Sequence, residues 1–218
     1  MNDMFYNRVI TMALPSLNAI SYLEVYQLDQ RYLDKVLNLS QEFQKSLNIE
    51  DFSFDFQKAI EITDFYDNTF VTNSIKHTIK KEGVSVGKMI ETIYFAVNNL
   101  LELSEHNNIF RSRVLNTITN AFLNLSHQEN ESYFFYYQKD NNQTSYRYHI
   151  FLAIQENNEN LFLKIVPISI DVTINSNIEE IRILNSHDIR DFTVNIKAIN
   201  LVFYDIDNPN LLKDFNRS

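Results

Sequence analysis

No cysteine occurs among the 218 residues, which excludes disulfides, thiolate zinc sites, iron–sulfur clusters and a cysteine nucleophile. With only 2 glycines and 3 prolines, collagen-like and linker-rich architectures are excluded too. Positive charge is in deficit: 19 Lys and Arg against 28 Asp and Glu leave a formal net charge of −9, with the excess spread through both halves. Such a surface repels phosphate backbones, so no nucleic-acid partner is expected. A strongly anionic membrane is disfavoured for the same reason, whereas zwitterionic lipid is not. Long apolar runs are missing as well. The most apolar helical window, Val84–Ser104, is broken by Lys88, Glu91, Asn98, Asn99 and Glu102, which no membrane-spanning helix would carry. Met1–Ile10 contains Asp3 and lacks the basic start and apolar stretch of a secretory signal, so a protein made soluble in the cytoplasm is expected.

What is abundant is apolar and aromatic. Hydrophobic residues make up 44% of the chain, 17 Phe and 12 Tyr among them, enough to exclude disorder and to build one sizeable core. Neither an internal repeat nor an interdomain linker is visible, so residues 1–218 read as one domain with its core at about 8–203 and a short polar tail at 204–218.

The periodicity changes along the chain. Asn7–Leu14 reads as a short strand, Arg8-Val9-Ile10-Thr11, ended by Pro15. From Asp29 to Leu47 the positions Leu33, Val36, Leu37, Phe43 and Leu47 recur at helical spacing, with Asp29 as N-cap. A shorter helix over Asp55–Ile62 and a strand over Thr69–Lys80 follow. Ser85 then caps a helix whose apolar stripe is Val86, Met89, Ile90, Ile93, Val97, Leu100 and Leu101; Phe95 lies off the stripe and calls for cover on a second face. His106-Asn107-Asn108 turns the chain into a second helix to Leu125, with Phe110, Val114, Ile118, Ala121, Phe122 and Leu125 inward, completing a helical hairpin. Beyond Ser126 the pattern becomes strand-like: Tyr133–Gln138, then Tyr146–Gln155, Leu161–Ile174 and Phe192–Phe203, joined by polar turns at Asp140–Gln143 and Glu156–Asn160. Pro167 cannot donate to a ladder and is expected at an edge or a bulge. Helices followed by antiparallel strands point to an α+β fold around one central sheet.

Four constellations invite a chemical reading. Gly83-Val84-Ser85-Val86-Gly87 matches the G-x-S-x-G nucleophile elbow, but Lys76–Glu82 ahead of it is charged where an elbow needs a buried strand, and no glycine remains for an oxyanion loop. No one of His106, His127, His149 and His187 is singled out as a base, and the five histidines, His77 included, lack H-x-H and H-E-x-x-H spacing. Glu179-Glu180 reads as a solvated face. The run Tyr133-Phe134-Phe135-Tyr136-Tyr137 reads as core packing with hydroxyls at a wet edge, rather than as a stacking platform for sugars or bases. No catalytic, metal or cofactor site emerges.

Strand length is more informative. At roughly 3.3 Å per residue Tyr146–Gln155 spans about 33 Å and Leu161–Ile174 about 46 Å, while a tilted membrane strand needs about 9–11 residues. Alternation is what any sheet with one face against helices shows; it is also what a sheet shows that exposes that face to lipid after shedding its helices.

The stretch Asn142-Gln143-Thr144-Ser145-Tyr146-Arg147-Tyr148-His149-Ile150-Phe151-Leu152-Ala153-Ile154-Gln155 resembles the corresponding strand of the Cyt family of cytolytic delta-endotoxins. Arg8-Val9-Ile10-Thr11, Phe43-Gln44 with Leu47, Val166-Pro167 and Val194-Asn195-Ile196 fit in the same order, over about residues 8–203. The resemblance implies a three-layer α/β/α domain, its mostly antiparallel sheet sheathed on both sides by helical hairpins, with no catalytic centre and no cofactor. It implies a membrane-permeabilising insecticidal toxin of spore-forming bacteria, pore-forming or detergent-like, stored as an intracellular crystal and acting at the target-cell membrane. Implied partners are phospholipid, preferably zwitterionic, further copies of the chain (a homodimer in solution, a homo-oligomer on the membrane) and other crystal toxins acting in synergy. Carried over by region, the membrane-entering strand positions are Tyr146, Tyr148, Ile150, Leu152, Ile154, Val166, Ile168, Ile170, Val172, Val194, Ile196 and Ala198. The hairpin that moves aside carries Met89, Ile93, Val97, Leu101, Val114, Ile118 and Phe122. Only seven residues precede Arg8, where family protoxins usually have a longer segment that is removed by proteolysis. Little need for activation, loss of dimer exchange, or a non-lytic colonisation factor on the same fold would each fit that departure.

Overall fold

A computed structural model describes residues 22–26, 28–48, 50–66, 68–101, 108–123, 135–140, 142–156 and 162–204. The expected strand at Arg8–Thr11, the turns at His106-Asn107 and Asn157–Asn160, residues Tyr133 and Phe134, and the tail from 205 lie outside them.

The elements run β1 (Tyr22–Tyr26), α1 (Gln30–Gln44), α2 (Phe56–Thr63), β2 (Thr69–Ser85), α3 (Val86–Leu101), α4 (Asn108–Leu123), β3 (Phe135–Asp140), β4 (Gln143–Glu156), β5 (Phe162–Ile174), α5 (Ile178–Arg182) and β6 (Ile189–Tyr204). Their starts follow from local chemistry. Asp29 accepts a hydrogen bond from Arg31 N, Asp55 from Lys58 N and Ser85 Oγ from Lys88 N, each filling an amide that the first helical turn leaves open. Replacing Asp55 with Ala is therefore expected to lower unfolding stability by about 1 kcal/mol, read from the denaturant midpoint.

Six strands form one sheet in the order β1-β4-β5-β6-β2, with β3 also paired to β4. β2, β6, β5, β4 and β3 pair antiparallel, and β1 runs parallel to β4, Tyr22 opposite Ile150 through Tyr26 opposite Ile154. β1 and β3 thus share one edge of β4, and β2 forms the far edge. The sheet is mixed, and β1 is an element that sequence periodicity did not reveal.

Because side chains alternate across a strand, each face of the sheet gathers its own layer. One face packs on α3 and α4, with Ile181 of α5 and Leu184 joining the same cluster. The other packs on α1 and α2 through Phe151, Ala153, Leu163, Ile165, Ile199, Leu201 and Phe203. The expected α/β/α sandwich is what forms.

Two expectations are corrected. Pro167 lies in the middle of the sheet, at neither an edge nor a bulge. Pairing with β4 runs unbroken through Phe151 opposite Pro167, while the ladder to β6 skips from Ile165–Leu201 to Ile168–Ala198 without a change of register. A two-residue gap in one ladder accommodates the missing N–H. Phe95 is not covered by a second layer: it is 57% exposed, since α3 is a surface helix whose inward stripe alone meets the sheet.

Candidate functional site

The interface between hairpin α3/α4 and the sheet contains every strand residue expected to enter a membrane and every hairpin residue expected to move aside. Tyr146, Tyr148, Ile150, Leu152 and Ile154 of β4, Val166, Ile168, Ile170 and Val172 of β5, and Val194, Ile196 and Ala198 of β6 are all buried on one face. Facing them, equally buried, are Met89, Ile93, Val97 and Leu101 of α3 and Val114, Ile118 and Phe122 of α4. Register explains the convergence: Tyr148 pairs with Ile170 and Ile170 with Ile196, so even-numbered positions stack across three strands. Phe122 is the aromatic anchor, with ring centroids 6.0 Å from Tyr146, 6.2 Å from Tyr148 and 6.5 Å from Phe192, all edge-on. Burial raises the Tyr146 hydroxyl well above the ordinary tyrosine range, with Tyr148 adding to the shift, so Tyr146 stays uncharged.

Helix α3 is tied at both ends. At the start of α3 the backbone amides of Val86 and Gly87 donate to Asp188 O and Ser186 O, both at 2.9 Å. At its end Asn200 Nδ2 donates to Leu100 O at 3.1 Å and Lys164 Nζ to Leu101 O at 3.3 Å. Neither Lys164 nor Asn200 was singled out from sequence, though a signal existed. Extending the even-numbered face of β5 backwards from Val166 and of β6 forwards from Ala198 lands on these two polar residues, next to rows that are apolar from Val166 to Ile174 and from Phe192 to Ala198.

The elbow-like motif is used otherwise. Ser85 Oγ caps α3 by accepting from Lys88 N at 3.2 Å. Gly83 takes a left-handed φ of 59° where the β2–β6 register shifts between Lys81 and Val84. Gly87 lets Ser186 O approach to 3.2 Å of where a Cβ would stand. His149 lies on the opposite face of the sheet, bonded to Phe52 O at 2.9 Å. Glu179 and Glu180 are exposed in the first turn of α5, a solvated face as expected.

The opposite face is polar at the β3 end. Arg147 donates to Asp171 Oδ1 at 3.0 Å and to the carbonyl of Asp51, and Lys197 Nζ to Phe54 O at 3.2 Å. With His149, three side chains hold the segment 50–55 onto the sheet, at its centre Phe52 with a φ of 53°.

No helix among the described residues is long and apolar enough to cross a membrane, which leaves the strands to be considered. β4, β5, β6 and β2 have 14, 13, 16 and 17 residues, beyond the roughly 9–11 that a tilted bilayer-spanning strand requires.

Comparison with known proteins accounts for this architecture. The pattern of the family described as Bacillus thuringiensis toxin matches residues 2–213. The chain belongs to that family. Its relatives there include the type-2Bb cytolytic delta-endotoxin of Bacillus thuringiensis subsp. jegathesan, 28% identical over 195 residues, which cover 89% of this chain and 74% of that protein. The type-2Ba cytolytic delta-endotoxin of subsp. israelensis is 27% identical over the same shares of each chain. In three dimensions the crystal structure of the activated Cyt2Ba monomer from subsp. israelensis superposes with a TM-score of 0.78 at 26% identity, covering 84% of this chain and 97% of that one. A second delta-endotoxin structure, at 23% identity, shares the fold with a TM-score of 0.83 over 94% of this chain and 89% of its own. The resemblance drawn from Asn142–Gln155 was therefore correct, and the chain is a Cyt-like toxin in family and fold.

Proposed function

We propose that this Cyt-family chain is a membrane-permeabilising cytolysin. It binds zwitterionic phospholipid directly, releases hairpin α3/α4 from the sheet, and assembles with further copies in the bilayer through the uncovered face of β4, β5 and β6. One observation carries the reading: twelve apolar positions on three long strands share a face whose cover, among the described residues, is chiefly the hairpin α3/α4, with Ile181 and Leu184 of the α5 region joining it. In water that cover is held by apolar burial, at about 25 cal/mol per Å². Against lipid, hydrocarbon chains solvate the same face as well as the hairpin does, and the preference for the closed form falls away. On this reading the protein is made in the bacterial cytoplasm, stored as a crystalline inclusion and acts at a target membrane, alone or in synergy with other crystal toxins.

Dye release from phosphatidylcholine vesicles, with untreated and protease-treated protein, tests it. Release is the expected result, and the comparison shows whether proteolysis is needed. Folded protein that binds vesicles without releasing dye would move the assignment to a non-lytic lipid-binding or colonisation factor, and absence of binding would overturn the reading. Ser85→Ala is expected to leave release unchanged. A loss with the fold intact would point instead to hydrolysis by Ser85.

A further inference from the structure

We propose that Lys164 and Asn200 form a polar latch that closes over the C-terminal end of α3 and sets how readily the hairpin leaves the sheet once lipid is present. The inference rests on the opening step proposed above and assigns its control to two residues.

The geometry is specific. Lys164 is 8% exposed and Asn200 1%, each on the even-numbered face that otherwise presents apolar side chains to α3. They are neighbours across the β5–β6 ladder, since Lys164 pairs with Val202 and Asn200 is the next position of β6 on the same face. Their donors reach consecutive carbonyls, Leu101 O and Leu100 O, in the last turn of α3, where helical carbonyls have no amide of their own. An ammonium group there also meets the negative end of the helix dipole.

The latch does more than add a little stability. Asn200 Oδ1 is buried without a hydrogen-bond partner, a defect that an apolar side chain of similar size would remove. Polar residues on this face are therefore a poor solution for packing alone. They matter when apolar contacts stop discriminating between open and closed, as happens in lipid, where hydrogen bonds and close packing are what still hold elements together. In water the hydrophobic term and the latch both oppose opening; at the membrane the latch remains, together with the Val86 and Gly87 amide bonds at the other end of α3.

The test uses Lys164→Met and Asn200→Leu, singly and together, in the full chain, with phosphatidylcholine vesicles as the probe. Opening is followed separately from leakage by energy transfer between fluorophores on Glu91→Cys of α3 and Ser74→Cys of β2, both exposed positions in a chain with no cysteine of its own. The double variant is expected to open and to release dye at least tenfold faster, with an unfolding midpoint in solution close to that of the parent. Lys164→Arg, which keeps a cationic donor, is expected to behave as the parent. Parent-like opening rates in the folded double variant would overturn the latch while leaving the cytolysin reading in place. A parent protein that neither opens nor leaks would instead overturn the reading on which the latch rests. If the double variant does not fold, the two single variants carry the same test, and a folded single variant opening no faster than the parent counts against its residue.

Discussion

The oxidised Gly87→Cys/Ser186→Cys protein is expected to lose at least nine-tenths of its lytic activity and to regain it on reduction. A Cβ built on Gly87 stands 3.6 Å from Ser186 Cβ, within the range that a disulfide spans. The bond would lock the first turn of α3 to the segment entering β6, replacing two breakable ties, Val86 N to Asp188 O and Gly87 N to Ser186 O, with a covalent one. With no native cysteine, no competing disulfide can form within the chain, and the reduced variant serves as its own control. Dye release before and after dithiothreitol reads the effect. Lysis unchanged in fully oxidised protein would rule out any mechanism in which the first turn of α3 must part from the segment entering β6.

Acid is expected to weaken the fold through His149. This imidazole is buried on the face opposite the hairpin, where burial is the chief reason its pKa falls from 6.5 to about 4; the charges of Arg147 and Lys197 push the same way, against the opposing effect of the Phe52 carbonyl. The folded state thus keeps His149 neutral while the unfolded chain takes up a proton below about pH 6.5. Stability is fully present above that value and is lost as pH falls towards 4, by on the order of 2 kcal/mol at pH 4.5. Asp171, raised by burial against the pull of Arg147 and Lys197, works in the opposite direction, and Asp51, lowered chiefly by hydrogen bonds from Ser53, in the same one. His149→Gln, which retains a donor for Phe52 O, is expected to flatten the loss between pH 7.5 and 4.5 when urea midpoints are compared. An equally steep loss in the variant would place the acid sensitivity elsewhere. The segment 50–55 is the part expected to respond first, because three of its carbonyls, those of Asp51, Phe52 and Phe54, accept from Arg147, His149 and Lys197.

The two helical layers have different attachments, and this bears on which one moves. The α1 layer is reached through the Asp29 amide, which donates to Gln155 Oε1 at 2.7 Å, and segment 50–55, which follows α1, is held by the cationic side chains of Arg147 and Lys197 and by neutral His149. The α3/α4 layer covers a larger and more uniformly apolar face, tied at the two ends of α3. Loss of water as the outer solvent therefore weakens the α3/α4 contact more.

How much of this was legible in the chain follows from the range of the interactions concerned. The stripe Val86, Met89, Ile90, Ile93, Val97, Leu100 and Leu101 and the caps Asp29 and Ser85 are local, set by side chains three or four residues apart, and each forms where the spacing placed it. The alternation in β4, β5 and β6 is local too, and it fixed which residues would share a face. The strand ends were less legible: β2 runs on to Ser85 and β6 begins at Ile189, because pairing partners rather than propensity decide where a ladder stops. Composition likewise determined the negative charge, the absence of thiol chemistry and the size of the core, and one long strand was specific enough to mark the family.

Tertiary structure decided the rest. It brought β1 parallel to β4, put Pro167 in a central strand, left Phe95 in solvent, and set Lys164 and Asn200 against the carbonyls that end α3. None of these has a local signature. Each depends on which distant strand or helix end arrives opposite the residue, and a contact between segments tens of residues apart is written in neither partner alone.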